Sequence, residues 1–77
     1  MRTTLHDVER GEAFRIDAVA DDEVRAQLHR MGFLDGTVEC RHRVVGGPVV
    51  ITRRGTDLAV GATVADDVEI SPRDQRR

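Results

Sequence analysis

The chain has no tryptophan, no tyrosine and no lysine, one cysteine, two prolines and two phenylalanines among 77 residues. Each scarcity excludes something. A single cysteine closes no internal disulfide, so stability must come from packing, and a reducing, cytoplasmic setting is the expected one. Without tryptophan or tyrosine the chain has neither a stacking platform for bases nor an aromatic groove for polyproline peptides, so nucleic acid and SH3-type ligands are not expected. Apolar runs are only a few residues long, so direct insertion into a bilayer is not expected. The first ten residues lack the apolar stretch of a signal peptide.

What is present is charge and valine. All basic residues are arginine, 12 of them against 14 aspartates and glutamates, for a net charge of −2. That balance gives no field suited to a polyanion or an anionic membrane. Hydrophobic residues make up 39%, enough for one thin aliphatic core in a chain this short. Valine dominates that core and favours strands. We expect one domain over residues 1–77, with its core over roughly 5–70 and a loose tail from Ser71 to Arg77.

Leu5 and Val8 suit a plug at one end of a barrel, and Gly11 marks a turn. A strand is predicted over Ala13 to Val19, where Phe14, Ile16 and Ala18 alternate with Arg15 and Asp17. A helix is predicted from Asp22 to Met31. Asp21 is its N-cap, Asp22, Glu23 and Arg30 complement its dipole, and Val24, Leu28 and Met31 form its apolar stripe. Gly32 suits the left-handed residue that ends such a helix, with Phe33 folding back on Leu28. A hairpin is predicted from Thr37 to Val45 and Val49 to Arg54. With its turn centred on Gly46-Gly47, Val44 faces Val49, His42 faces Ile51 and Glu39 faces Arg54. Val38, Cys40, His42, Val44, Val49 and Ile51 then share one face, and Arg41, Arg43, Val50 and Thr52 the other. Short strands over Asp57 to Val60 and Val68 to Ile70 flank a helical turn within Ala62 to Asp66. Five short strands and one interposed helix predict a mainly β domain: a small five-stranded barrel, closed or nearly so, with the helix between its first and second strands.

The candidate sites are few. Cys40 and His42 lie roughly 7 Å apart on one strand face by strand rise, too far for a nucleophile–base pair, so no catalysis is expected. The bland reading makes Cys40 a core residue and His42 a rim residue. As metal ligands for Fe(II) or another divalent ion they are a weak pair, because a closed site needs more ligands and neither His6 nor His29 is brought near by spacing. Arg41, Arg43 and Arg54 form a small basic patch, read as a solvated face, as a dock for an acidic protein surface, or, least well supported, as an RNA contact. Leu34, between Gly32 and Gly36, points outward in this reading. Beside Val45 and Val50 it seeds a partner patch, against the plainer reading of core closure. Such a surface is also compatible with weak self-association.

The order of these signals resembles the FeoA family. The resemblance rests on Leu28-His29-Arg30-Met31-Gly32-Phe33-Leu34-Asp35-Gly36 at the helix end, Gly47-Pro48 near the hairpin tip, Gly55 before the strand to Val60, Ala65-Asp66-Asp67-Val68-Glu69-Ile70 near the end, and the opening Leu5 and Gly11. It spans roughly residues 5–70. His29 and Gly61 depart from it, where the family usually has an apolar and a basic residue. The resemblance implies an SH3-like barrel and a non-enzymatic, cytosolic accessory or regulatory role in ferrous-iron uptake, beside a FeoB-type membrane GTPase. It implies no required cofactor. The same fold serves as the C-terminal module of DtxR-type repressors, which implies the alternative of a metal-responsive regulatory module.

Overall fold

The computed structural model describes residues 3–72. Its strands are β1 (Ala13–Val19), β2 (Val38–Arg43), β3 (Val49–Arg53), β4 (Thr56–Val60) and β5 (Val68–Pro72). Helix α1 (Asp22–Arg30) joins β1 to β2, and a single turn, α2 (Ala62–Ala65), joins β4 to β5. The strands form one antiparallel sheet in the order β4-β3-β2-β1-β5. The expected mainly β, SH3-like arrangement is therefore present, with the helix between the first two strands. Closure is not: β4 and β5 are the two edges, and no ladder joins them among the described residues. The 3₁₀ turn Leu5–Asp7 packs against β5 and α2. Leu5 and Val8 are buried there, as the plug reading expects.

Helix α1 is built as its sequence dictates. Asp21 Oδ1 accepts from the backbone N–H groups of Glu23 (2.9 Å) and Val24 (3.0 Å), satisfying two of the donors that a helix start leaves unpaired. At the other end Gly32 adopts φ +80°. The Gly32 N–H donates to the His29 carbonyl at 3.1 Å and the Phe33 N–H to the Leu28 carbonyl at 2.9 Å, the paired bonds of a Schellman ending. Phe33 and Leu28 are both buried. The chain therefore turns off the helix directly into the core, which also receives Phe14, Val38, Cys40, Val49, Ile51, Ala65, Val68 and Ile70.

Two β-bulges alter the alternation that the sequence pattern implies. In β1 the register against β5 shifts between Ile16 and Ala18, so Ala18 faces solvent and Val19 is buried. In β2 it shifts between Cys40 and His42. Cys40 pairs with Ile51, His42 with Val50, Arg43 with Val49 and Glu39 with Thr52. The expected pairs His42–Ile51, Val44–Val49 and Glu39–Arg54 are thus corrected. The extra residue is Arg41, and beyond it inside and outside exchange. The turn that reverses the chain runs Val44–Gly47, closed by the Gly47 N–H on the Val44 carbonyl at 2.8 Å. Val44 is therefore exposed instead of facing the core.

Ser71 and Pro72, expected in a loose tail, belong to β5. Ser71 and Pro72 pair with Arg15 and Phe14, and the Ser71 hydroxyl donates to the Asp17 carboxylate. Residues 73–77 lie outside the described residues.

Between β3 and β4 a two-residue turn places Arg54 at φ +53° and Gly55 at φ +82°, flanked by the pair Arg53–Thr56. Positive φ at both central positions is the type I′ pattern, which favours Asn-Gly. An arginine there carries a steric penalty between its Cβ and the backbone. Arg54→Asn is expected to raise stability by about 0.5–1 kcal/mol, read as a higher urea midpoint. An unchanged midpoint would show that the turn relaxes around Arg54 at no cost.

Candidate functional site

The bulge at Arg41 disperses the constellation read from the sequence. Cys40 stays in the core, fully buried. Burial pushes its thiol pKa up, so the thiolate that a nucleophile or a metal ligand needs is disfavoured. Its sulfur lies 3.8 Å from the His42 carbonyl oxygen. The His42 side chain is exposed, on the Val50 side of the sheet. The two therefore do not share a face, correcting the spacing argument. Of the other histidines, His6 pairs with Asp66 at 3.5 Å and His29 is exposed on α1. Among the described residues no three His, Cys, Asp or Glu side chains come together to hold a metal.

The basic patch is also rearranged. Arg43 shares the core-side face of Val49, and its Nη1 donates to the Val8 carbonyl at 2.9 Å. It ties the hairpin to the plug and leaves the outer patch. Arg41 is exposed and pairs with Asp57 of β4 at 3.3 Å. The cross-strand partner of Arg41 is thus Asp57, and Glu39 does not face Arg54. Arg54 is exposed in the tight turn. Leu34, expected to point outward, is half-buried and packs against the core. Val50 is half-buried on the outer face. The exposed large hydrophobics are at the hairpin tip instead, with Val45 at 92% and Val44 at 44%.

Among the described residues two concave features stand out. One is an open groove of about 460 Å³ at the ends of β2 and β3, lined by Thr37, Glu39, Arg41, Thr52, Arg53 and Arg54 among others. The second is a smaller apolar cleft of about 190 Å³ between α1 and edge strand β4, lined by Val24, Leu58, Val60 and Val64 among others. Arg53 was absent from the candidates read from the sequence, which ended the strand at Arg54 and treated Arg53 as part of it. The signal available was Arg53-Arg54-Gly55. A Gly preceded by two long cations marks a turn, and a turn starting at Arg53 brings both cations to one end of the sheet.

The comparisons with known proteins agree with the architecture. The FeoA domain family matches residues 3–72. A comparison with curated proteins found no match. Among solved structures, an iron uptake regulatory protein (FeoA) is 24% identical, covering 92% of this chain and 96% of its own, with a TM-score of 0.74. The FeoA protein of Chlorobium tepidum is 18% identical, covering 97% of this chain and 74% of its own, with a TM-score of 0.82. A FeoA-like protein from Clostridium acetobutylicum is 19% identical, covering 99% and 92%, with a TM-score of 0.72. These likenesses concern the fold. The family match over nearly the whole chain establishes that it belongs to the FeoA domain family, and that membership implies a role in ferrous-iron transport.

Proposed function

We propose that this chain is a cytoplasmic accessory protein that modulates ferrous-iron uptake by direct contact with the cytosolic part of a FeoB-type membrane GTPase, without chemistry of its own. The observation that carries the reading is the family match over residues 3–72. The one buried thiol, with its pKa raised by burial, supports a binding role over a catalytic one. Among the described residues no helix is long and apolar enough to cross a membrane, which fits a protein that works at the bilayer through a partner. The metal-responsive alternative has less support, because the Cys40 and His42 side chains diverge.

The test is binding of the full chain to the purified soluble portion of the cognate transporter, paired with uptake of radiolabelled ferrous iron in cells lacking this gene. Saturable binding and reduced uptake are expected. Absence of both would refute the proposal.

A further inference from the structure

Arg53 ends β3 two residues past Ile51, on the same face, and its guanidinium lies against the loop that follows α1. A Cβ on Gly36 would stand 2.6 Å from Arg53 Nη2, and one on Gly32 would stand 3.9 Å from Nη1. Gly36 does not adopt a positive φ, so its backbone does not demand glycine. A Cβ there would need only the guanidinium, the far end of a flexible side chain, to swing aside. Arg53 Nε is buried with no hydrogen-bond acceptor, and among the described residues no carboxylate pairs with the group. Arg53 as a whole is half-buried, and a buried N–H without an acceptor weakens a fold. The unmet N–H brings the fold no hydrogen bond, and a carboxylate would find the half-buried guanidinium without an ion-pair partner among the described residues.

The groove beside it is lined by Arg53, Arg54, Arg41 and one carboxylate, Glu39, among others, in a chain whose net charge is −2. Arg54 has no partner among the described residues, and Arg41 holds only the exposed pair with Asp57, a contact readily exchanged. We propose that this groove binds an acidic segment of a partner protein, an extended stretch with two or more closely spaced carboxylates, and that Arg53 is its anchor. Guanidinium forks match carboxylates bidentately. Nucleic acid fits less well, because the only aromatic side chains, Phe14 and Phe33, are buried and leave nothing for bases to stack on. A lone small anion fits less well than a chain, because the three arginines are spread over β2, β3 and a turn around about 460 Å³. The inference rests on the accessory-protein reading only for the identity of the protein that carries the segment.

The experiment titrates the ¹⁵N-labelled full chain with a capped hexapeptide of alternating aspartate and glutamate, followed by NMR. Saturable, salt-sensitive shifts are expected at Thr37, Arg41 and 52–55, including the Arg53 Nε–H resonance. Arg53→Gln should weaken binding about tenfold, the worth of one charge-assisted bidentate pair. Arg53→Lys should not restore it, because the fork is lost. Gly36→Ala, which displaces the guanidinium and keeps its charge, should also weaken binding. Arg25→Gln, on the exposed side of α1, should not. The thermal midpoint of Arg53→Gln should equal or exceed that of the parent, which separates a binding role from a structural one. The proposal is overturned by absence of saturation, by shifts centred elsewhere, by unchanged binding in Arg53→Gln, or by equal affinity for oligouridylate, free glutamate or inorganic phosphate. Peptide binding without transporter binding would leave the groove standing and remove the proposed partner. Transporter binding unaffected by Arg53→Gln, with no peptide binding, would remove the groove alone.

Discussion

Phe33→Ala is expected to remove about 3–5 kcal/mol of stability, the largest loss of any single truncation argued for this chain. Phe33 is fully buried at the junction of α1 and the sheet, and truncating a buried phenylalanine typically costs about 3–5 kcal/mol. A domain of 77 residues has a total stability of about 4–11 kcal/mol, so the loss is a large share of the whole. The substitution leaves the backbone bond from residue 33 to the Leu28 carbonyl available, so the cost isolates the packing of the ring. It would also free the helix end. Leu28 is the fully buried residue of α1, and without the ring opposite it the helix has little to hold it on the sheet. Urea unfolding followed by far-ultraviolet circular dichroism checks this. A midpoint within error of the parent would show that the surrounding aliphatic side chains close over the vacated space. Phe33→Leu, which keeps most of the apolar volume, is expected to be milder.

That junction was legible in the sequence because its signals are local. Asp21, the Val24-Leu28-Met31 stripe, Gly32 and Phe33 each act within one or two turns of backbone, and each takes the role that its chemistry implies. The strands were legible for a similar reason: β1 keeps the bounds Ala13–Val19 expected from its alternation. The bulges were not. A bulge is a property of two strands together, and nothing in Cys40-Arg41-His42 alone announces that Arg41 is the extra residue. From that one residue follow the outward His42, the inward Arg43 on the Val8 carbonyl, and the loss of the pairing between Glu39 and Arg54. The candidate site was therefore legible in its residue types and not in its membership. Arginines at this end of the hairpin do line one groove, but they are Arg41, Arg53 and Arg54, because register decides which side chains share a surface. Closure of the sheet was likewise a non-local expectation. The chain passes from β4 to β5 through α2, and no ladder joins the two strands among the described residues.

Cys40 offers a second large effect, one that the chain's missing residues make unusually clean to measure. The thiol is fully buried, and burial raises its pKa, with Glu12 and Glu9 adding to the rise and Arg43 opposing it. At neutral pH a thiol reagent reaches it only through opening of the fold. Modification of the native chain is therefore expected to be at least about a thousandfold slower than in the urea-unfolded chain, because opening core structure costs about 4 kcal/mol or more. The same burial makes stability depend on pH. In the unfolded chain the thiol ionises near about pH 8.5, while the folded chain holds its proton to higher pH. Cys40 thus contributes stability that is fully present below about pH 8.5. Above that, the unfolded state releases a proton that the folded state keeps, so stability falls as pH rises toward the folded value, by at most about 1.4 kcal/mol per pH unit. The chain has no lysine and no tyrosine, arginine stays charged throughout, and the terminal amine titrates near about 8. Cys40 is then the one side chain that titrates in the alkaline window. Urea midpoints from pH 7 to 10.5 should fall for the parent and stay nearly level for Cys40→Ala, even though that variant starts lower. Parallel slopes for the two proteins would mean that the thiol is not held protonated by the core, and fast labelling of the native chain would say the same by an independent route.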